Sequence, residues 1–326
     1  MRIFDAAATE RALPFERLIP ALRVLFAAGC TVPARQVHEI GAPGGAGCTS
    51  LVMPAWIEGR YYGVKTINIA PGNAARGLPA LHASYVLYDA ATGVPLALID
   101  GNQLTARRTA AASALAASWL ARPDARHLLV VGAGQVARLL PQAYRCVRPI
   151  ERVSVWARDG AAAERLAAEL REDGIDARST PDLATTASAA DIVSCATLAT
   201  APLIEGRWLR PGSHLDLIGS YTPAMRESDD DCYRGAALYV DTDEALHKSG
   251  DLLGPLARGV LRATDVRGTL ESLARGESAG RRDPSERTVF KSVGTALEDL
   301  AAAIEVVEVG PDRTTATATA NSLIDV

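Results

Sequence analysis

Between residues 127 and 137 the chain reads His127-Leu128-Leu129-Val130-Val131-Gly132-Ala133-Gly134-Gln135-Val136-Ala137. The apolar run at 127–131 predicts a buried β-strand, and the following six residues fit the pattern G-x-G-x-x-A that opens a helix. In this pattern the first glycine permits a tight turn, the second lets the backbone approach a pyrophosphate, and Ala137 allows close packing of helix on strand. We therefore predict a dinucleotide-binding turn formed by Gly132, Gly134, Gln135, Val136 and Ala137.

Beyond this turn, strands and helices alternate along the chain. Strands are predicted at 152–156, 191–196, 214–218 and 237–240, and helices at 135–146 and 161–172. Alternation of this length is typical of α/β proteins with a Rossmann-type, doubly wound parallel sheet.

The segment before residue 127 has a different pattern. Helices are predicted at 14–28 and 105–120, strands at 50–54 and 61–69, and a hairpin at 85–89 and 94–99 around Ala91-Thr92-Gly93. A final helix at 294–307 has an amphipathic face available to this first domain.

Composition excludes several classes of protein. Of 326 residues, 48% are hydrophobic, which is enough for a sizeable core, and the net charge of -4 argues against a nucleic-acid or membrane-surface partner. The five cysteines are far apart without a C-x-x-C pair, so neither a disulfide framework nor a metal site is expected. Reduced thiols and the lack of a signal-peptide pattern or membrane span favour a cytoplasmic protein.

The end of the strand at 152–156 bears on cofactor choice. NAD enzymes usually place an acidic residue there to hold the ribose 2′-hydroxyl. Here the chain reads Trp156-Ala157-Arg158-Asp159, so Ala157 occupies the usual acidic position and the guanidinium of Arg158 can pair with a 2′-phosphate. We predict a preference for NADP(H); NAD(H) stays the alternative because Asp159 lies close by.

Three segments of the first domain carry candidate substrate-binding cations. Lys65, one of three lysines against 31 arginines, is predicted at a strand end, and Arg108 and Thr109 at the start of the helix that begins at residue 105. Arg35 is the third candidate. A lysine can exchange a proton whereas arginine stays charged. Together these cations are suited to a substrate carboxylate, and the helix start with Thr109 is suited to the cofactor phosphates. Solvated surface charge is the alternative for any single arginine.

Taken together, these segments resemble the ornithine cyclodeaminase/mu-crystallin family. The matching segments are Gly63-Val64-Lys65, Pro71-Gly72-Asn73, Leu104-Thr105-Ala106-Arg107-Arg108-Thr109-Ala110-Ala111-Ala112-Ser113, the Gly132 turn, Gly212-Ser213-His214-Leu215-Asp216-Leu217-Ile218-Gly219, Met225-Arg226-Glu227 and Ser292-Val293-Gly294.

The resemblance implies a dinucleotide-binding domain, residues 118–294, inserted in an α+β substrate-binding and dimerisation domain made of residues 1–117 and 295–326. It implies a homodimer. It also implies that Lys65 and Arg108 are catalytic and contact the substrate, with Arg35 as a further carboxylate ligand. Further cofactor contacts are expected at Ala196, Thr197, Gly219 and Val293.

Departures from the family pattern indicate which reaction to expect. Gln135 and Val136 stand in exchanged order within the turn. The ornithine cyclodeaminases carry an aspartate where this chain has Tyr221 and a glutamate where it has Leu51. Without these two carboxylates a diamine lacks partners, so the chain is most similar to the branch that reduces Δ1-pyrroline-2-carboxylate, a cyclic ketimine, to proline.

We therefore expect Arg108, Lys65 and Arg35 to bind the carboxylate of a cyclic imino acid while a nicotinamide delivers hydride to the imine carbon. Lys65, or His82 through water, is the candidate donor of the proton to nitrogen. The alternatives are an ornithine cyclodeaminase, an amino-acid dehydrogenase that needs ammonia, and an NADPH-dependent ligand-binding protein of the same family.

Overall fold

The structure is a computed structural model that describes residues 1–42 and 45–309. Two β-sheets organise it, called here the first and the second sheet. The first sheet contains β1 (Arg2–Phe4), β2 (Gln36–Ala42), β3 (Gly45–Ile57), β4 (Tyr61–Ile69), β5 (Leu81–Asp89) and β6 (Pro95–Asp100), in the spatial order β1-β6-β5-β4-β3-β2. All its pairings are antiparallel except that of β1 with β6.

The second sheet has eight strands, all parallel. They are β7 (His127–Val131), β8 (Arg152–Trp156), β9 (Ala177–Ser179), β10 (Ile192–Cys195), β11 (His214–Leu217), β12 (Ala237–Val240), β13 (Val266–Thr269) and β14 (Thr288–Lys291). Their order is β13-β12-β14-β11-β10-β7-β8-β9, so the direction of winding reverses between β7 and β10. This reversal is the point at which doubly wound sheets bind ligands, and the predicted fold class is confirmed.

Ten α-helices accompany these sheets within the described part of the chain. They are α1 (Ala6–Ala12), α2 (Phe15–Ala28), α3 (Gly101–Leu120), α4 (Gln135–Arg145), α5 (Gly160–Glu172), α6 (Leu183–Ala189), α7 (Ala245–Lys248), α8 (Gly250–Ala257), α9 (Leu270–Ala274) and α10 (Ala296–Val309). The predicted hairpin and the helix after Pro14 are confirmed, as are the helices that follow β7 and β8.

Helices α3 and α10 connect the two sheets. Helix α3 is rich in alanine and buried on nearly all sides, and it contacts strands of both sheets. A helix that is apolar all round needs such an interior position. Helix α10 follows β14 of the second sheet and packs on α2, α3 and strands β3 to β5 of the first sheet. The expected return of the last helix to the first domain is therefore confirmed.

The prediction for the start of α3 was wrong. The helix begins at Gly101, four residues earlier than expected, because Asp100 caps it by accepting a hydrogen bond from the Gln103 amide at 2.8 Å. A Cβ at residue 101 would lie 2.6 Å from the Ala83 carbonyl carbon, so the entry to the helix requires glycine. Arg108 and Thr109 consequently lie two turns inside the helix, away from its free amides.

The position predicted for Lys65 was also wrong. Lys65 lies in the middle of β4, paired with Met53 of β3 and Tyr85 of β5. Side chains of directly paired residues share one face of a sheet. Met53, Lys65 and Tyr85 are all buried, so this face of the first sheet is the one that α10 covers.

The predicted division into domains stays a prediction. Its second boundary, between residues 294 and 295, lies between β14 and α10, and its first, between residues 117 and 118, lies in the last turn of α3. Residues 310–326, assigned to the first domain, lie outside the described residues. Within the described ranges, no helix is both long and apolar enough to cross a membrane.

Candidate active site

The predicted cofactor residues gather at one edge of the second sheet. Gly132 follows β7, Ala196 follows β10, Gly219 lies just beyond β11, and Val293 lies just beyond β14. Since all eight strands are parallel, these residues lie at the common carboxyl edge, on both sides of the reversal between β7 and β10.

The Gly132 turn has the geometry expected of a phosphate-binding loop. Gly132 has φ of 123°, and a Cβ there would lie 2.5 Å from the Ala196 carbonyl oxygen. Gly134 is the N-cap of α4; it offers no side-chain cap, and a Cβ there would meet nothing within 4 Å. The first amides of α4 therefore face open space, as needed for an anion. These features fit the pyrophosphate of a dinucleotide.

A buried carboxylate that sequence reasoning missed holds the neighbouring loops. Glu227 accepts hydrogen bonds from the Thr197 amide at 2.8 Å, the Thr197 hydroxyl at 2.7 Å and the Gly219 amide at 2.7 Å. Burial raises the pKa of Glu227 to about 7. A Cβ at Gly219 would lie 1.9 Å from the Thr197 carbonyl oxygen, so the two loops touch. Glu227 thus brings together two residues predicted to contact the cofactor.

Residues at the end of β8 take different roles. Arg158 is exposed, whereas the Asp159 carboxylate caps α5 by accepting from the Ala161 amide at 3.0 Å. Asp159, the residue that kept NAD(H) open as an alternative, is therefore already engaged by its own helix.

A second group of residues forms what we call the clamp: Lys65 of β4, Arg108 of α3, and Glu298 and Asp299 of α10. Asp299 binds both cations, with Oδ2 at 2.5 Å from the Lys65 Nζ and Oδ1 at 3.0 Å from the Arg108 Nε. Glu298 Oε2 accepts from the Arg108 Nη1 at 2.5 Å. The side chains of Lys65 and Asp299 have no exposed surface, and that of Arg108 is 8% exposed.

The two acids of the clamp were not predicted. Glu298 and Asp299 lie in the first turn of α10, where acidic residues are common because they complement the helix dipole. Their neighbours Ala296, Leu297 and Leu300 are buried, and this apolar surrounding was the only available signal that the two acids face inward.

Burial sets the charge of the clamp. Burial lowers the pKa of Lys65 to about 8, with Asp299 opposing the shift and Arg108 adding to it. Burial raises the pKa of Glu298 to about 8, although Arg108 opposes that shift. Burial thus opposes the ionisation of Glu298, and a proton held by Glu298 leaves Lys65 and Arg108 with an excess of positive charge over Asp299. Such a charge complements a monocarboxylate.

The clamp borders the carboxyl edge of the second sheet. Asp241, at the end of β12, accepts hydrogen bonds from the amides of Val293 at 2.7 Å and Gly294 at 2.6 Å. A Cβ at Gly294 would lie 2.7 Å from the Arg108 Nη1, so the guanidinium packs directly on this backbone. Arg35 donates to the Gly294 carbonyl at 3.5 Å. Arg35 and Arg108 thus meet at Gly294, and Lys65 is joined to Arg108 through Asp299.

Two other residues are not placed as expected, although the predicted cofactor contact of Thr109 stays a prediction. His82 lies three residues from Tyr85 on β5, so it projects from the opposite face of the first sheet, where it is exposed. It cannot reach the clamp through a water molecule across the sheet. The amide of Thr109 lies inside α3, and its hydroxyl donates to the Thr105 carbonyl at 2.7 Å, so Thr109 offers no helix-terminal amide to a phosphate.

Two positions that distinguish this chain from cyclodeaminases lie near the site. Leu51 pairs with Ile67 on the same face of the first sheet as Lys65, so an acid there would have faced the clamp side. Tyr221 follows Gly219 at the carboxyl edge and is 42% exposed. Among the described residues, no group of three or more potential ligands could hold a metal ion.

The parallel sheet with its uncapped glycine turn, next to the buried clamp, defines a dinucleotide-binding α/β protein. The sequence model of the ornithine cyclodeaminase/mu-crystallin family matches residues 46–312. The chain belongs to this family.

Individual relatives are closely similar over most of their length. A Delta(1)-pyrroline-2-carboxylate reductase of Paracoccus denitrificans is 46% identical over 278 residues, covering 83% of this chain and 86% of the relative. The structure of Thermococcus litoralis Delta(1)-pyrroline-2-carboxylate reductase with NADH and L-proline superposes with a TM-score of 0.88 at 32% identity, covering 94% and 97% of the two chains. An archaeal alanine dehydrogenase dimer with bound NAD gives a TM-score of 0.85 at 28% identity, covering 94% and 95%.

Proposed function

We propose that the protein is an NAD(P)H-dependent reductase of cyclic imino acids such as Δ1-pyrroline-2-carboxylate, which it converts to proline. The observation that carries the proposal is the clamp: the buried cations Lys65 and Arg108, held by Asp299 and Glu298 beside the dinucleotide-binding edge. The similarity to reductases of this substrate, at up to 46% identity, supports it. A bound reduced nicotinamide supplies the hydride that the imine carbon accepts.

Residues of the chain itself bind the substrate, orient it and supply its proton. Arg108 has Nε and Nη1 occupied by Asp299 and Glu298, so its remaining amino group is the one available to a substrate carboxylate. Arg35 approaches the same carboxylate from the Gly294 side. Lys65 holds a proton at Nζ near its transfer range, since burial lowers its pKa to about 8. Exclusion of water around the clamp strengthens each of these interactions.

The runner-up is ornithine cyclodeamination. It requires partners for a second ammonium group, and the face that Leu51 shares with Lys65 is apolar there, with Ile67 and Met53 as neighbours. The discriminating experiment measures NADPH oxidation with Δ1-pyrroline-2-carboxylate and ammonia release from L-ornithine with catalytic NAD.

We expect NADPH oxidation and no ammonia release. Ammonia release without net NADH consumption would replace the proposal with the cyclodeaminase. A requirement for added ammonia with a linear keto acid would identify an amino-acid dehydrogenase, and binding without turnover would identify a ligand-binding protein.

Lys65→Arg tests the transferable proton. The variant keeps a cation and removes an exchangeable proton, so turnover should fall by about 100-fold or more. Lys248→Arg is the matched control, because the Lys248 ammonium pairs with Glu244 and with no residue of the clamp. Near wild-type turnover of Lys65→Arg would reduce Lys65 to a fixed charge.

We further propose a preference for NADP(H). The exposed Arg158 can pair with a 2′-phosphate, and Asp159 is engaged in capping α5. The Michaelis constants of both cofactors test this: Arg158→Ala should weaken NADPH by about tenfold and leave NADH nearly unchanged. A Michaelis constant for NADH tenfold below that for NADPH in the wild type would refute the preference.

We also propose that the protein is a homodimer formed through the outer face of the first sheet. This face carries a row of three aromatic side chains. The ring centroids of Trp56 and Tyr62 lie 6.5 Å apart, and those of Tyr62 and Tyr88 lie 5.3 Å apart. Apolar faces of this kind mark association surfaces. Light scattering should give twice the chain mass, and Tyr62→Asp should yield monomers; a wild-type monomer would refute the proposal. The cytoplasmic location expected from the cysteines stays a prediction.

A further inference from the structure

We propose that Asp299 is a positioning residue that keeps Lys65 in its ammonium form and aims Arg108 at the anionic substrate. The inference rests on the proposed reductase function, because it assigns the source of the charge and of the proton used by that reaction. The resemblance to the family did not point to Asp299 as a site residue, so neither of these roles follows from it.

The bridging geometry is the first support. One oxygen of Asp299 contacts the Lys65 Nζ at 2.5 Å and the other contacts the Arg108 Nε at 3.0 Å. Binding at Nε fixes the plane of the guanidinium from its inner side. With Glu298 on Nη1, only Nη2 of Arg108 is left without a hydrogen-bond partner among the described residues, and it lies against Gly294.

Burial is the second support. Neither Lys65 nor Asp299 has side-chain surface exposed, so water does not stabilise the ammonium. Removing solvent favours the neutral amine, and only a nearby negative charge opposes this. Asp299 makes the larger of the two carboxylate contributions that raise the pKa of Lys65, ahead of Glu298.

The other groups around Lys65 do not take over this role. From α3, Arg108 is a second cation and Thr105 contributes a hydroxyl 3.5 Å from Nζ. From β5, Tyr85 is neutral because burial raises its pKa well above the usual range. From α10, Glu298 contacts Arg108 rather than Lys65, and burial raises its pKa, which weakens its charge. From β3, Met53 is apolar.

The small number of lysines allows a direct test. Protein labelled with 13C at lysine Cε has three lysine signals, and Lys65→Arg and Lys248→Arg assign them. Titration of the wild type should show Lys65 changing near pH 8. In Asp299→Asn the midpoint should fall by about one pH unit or more, because the main opposing charge is lost.

Glu298→Gln is the matched control. It removes the neighbouring acid of the same helix turn, and the Lys65 midpoint should move by less than half the shift seen in Asp299→Asn. An equal or larger shift in the control would overturn the proposal, as would an unchanged midpoint in Asp299→Asn.

Two measurements decide the matter even if Asp299→Asn does not fold. Asp299→Glu keeps the charge, so its Lys65 midpoint should stay within about half a pH unit of the wild type; a larger fall would contradict the charge argument. A wild-type Lys65 midpoint below about pH 7 would also contradict it, because the ammonium would then not be kept at neutral pH.

Kinetics separate positioning from a structural role. The decline of kcat/KM at high pH should follow the Lys65 midpoint and move to lower pH in Asp299→Asn. A structural role alone would lower kcat/KM at every pH without moving the decline. If the wild type reduces no cyclic imine, the proposed function fails, whereas the lysine titration still tests Asp299.

Discussion

The clamp and a second buried cluster, around Asp216 of β11, use the same chemistry to different ends. Asp216 accepts hydrogen bonds from the hydroxyls of Tyr144 at 2.9 Å and Ser113 at 3.1 Å, and from that of Ser194. It is fully buried within the second sheet, and its donors come from α3, α4 and β10. In the clamp, by contrast, the Oε1 atom of Glu298 is buried without a hydrogen-bond partner among the described residues.

The difference shows that buried charge by itself does not indicate a functional site. Burial raises the pKa of Asp216 to about 6 and that of Glu298 to about 8, so both acids are perturbed. What distinguishes the clamp is an incomplete set of partners and a position beside the cofactor edge. The Asp216 cluster is complete and serves to join α3 and α4 to the sheet.

The largest expected effect is the loss of activity in Arg108→Met. It removes the cation that binds the carboxylate, so kcat/KM should fall by about 1000-fold or more. It also leaves the buried Glu298 without its partner and Asp299 with Lys65 alone, which should cost about 3–5 kcal/mol in the free energy of unfolding. Steady-state kinetics and denaturant unfolding measure the two effects.

Arg107→Met is the matched control for this variant. Arg107 is equally buried on the same helix, but it donates to the Leu13 carbonyl at 2.8 Å and stacks on Phe15. Its loss should reduce stability while kcat/KM stays within about tenfold of the wild type. If Arg108→Met retained kcat/KM to the same degree, the clamp would be a structural cluster like that of Asp216.

The Asp216 cluster should respond to Asp216→Asn in stability and not in activity. An asparagine has one acceptor oxygen in place of two, so some of the three hydroxyls lose their acceptor, at about 1–3 kcal/mol. The melting temperature should fall by several degrees while kcat/KM stays within about threefold. A fall of kcat/KM beyond about 100-fold would show that the cluster takes part in the reaction.

The stability deficit of Asp216→Asn should also depend on pH. The pKa of Asp216 is raised by burial from 3.8 to about 6, so its stabilising contribution is complete below pH 3.8 and is lost as the pH rises through 6. Asparagine does not titrate, so the deficit should shrink between about pH 3.8 and pH 6. Ser194→Ala keeps the acid and removes a hydroxyl that lowers its pKa, so its stability should fall with pH in the same direction as the wild type but up to a higher pH.

The sequence predicts the parts of the molecule that are encoded by local patterns. The glycine turn and the alternating elements after residue 127 come from local rules, so the second sheet was predicted with most of its strands. The strands β9 and β13 were missed because neither has the apolar run that marked the others: β9 is Ala177-Arg178-Ser179 and β13 is Val266-Arg267-Gly268-Thr269. The start of α3 was missed because Asp100-Gly101 is also a common turn sequence.

Only the cations of the clamp were predicted from the sequence, and the reason is related. Lys65 and Arg108 stood out as cations, but their partners Glu298 and Asp299 lie about 190 residues or more further along. Which acid faces which cation depends on the path of α10 across the first sheet, and no local pattern encodes that path. His82 was misplaced because its strand was recognised only from residue 85, so its face was unknown.

The smallest expected effect, Tyr85→Phe, tests where the clamp ends. The Tyr85 hydroxyl is fully buried beside Lys65 and has no hydrogen-bond partner among the described residues. Removing a buried hydroxyl that makes no hydrogen bond is close to neutral, so the melting temperature should change by less than about 2 °C and kcat by less than about threefold. Tyr144→Phe is the counterpart in the other cluster. The Tyr144 hydroxyl donates to Asp216, so its loss should lower the free energy of unfolding by about 1 kcal/mol.

A fall in kcat of more than tenfold for Tyr85→Phe, at unchanged stability, would mean that the Tyr85 hydroxyl is used during turnover. The Tyr85 hydroxyl would then belong to the clamp, together with the Glu298 Oε1 that also has no hydrogen-bond partner among the described residues. Tyr85 would join the groups that handle the proton.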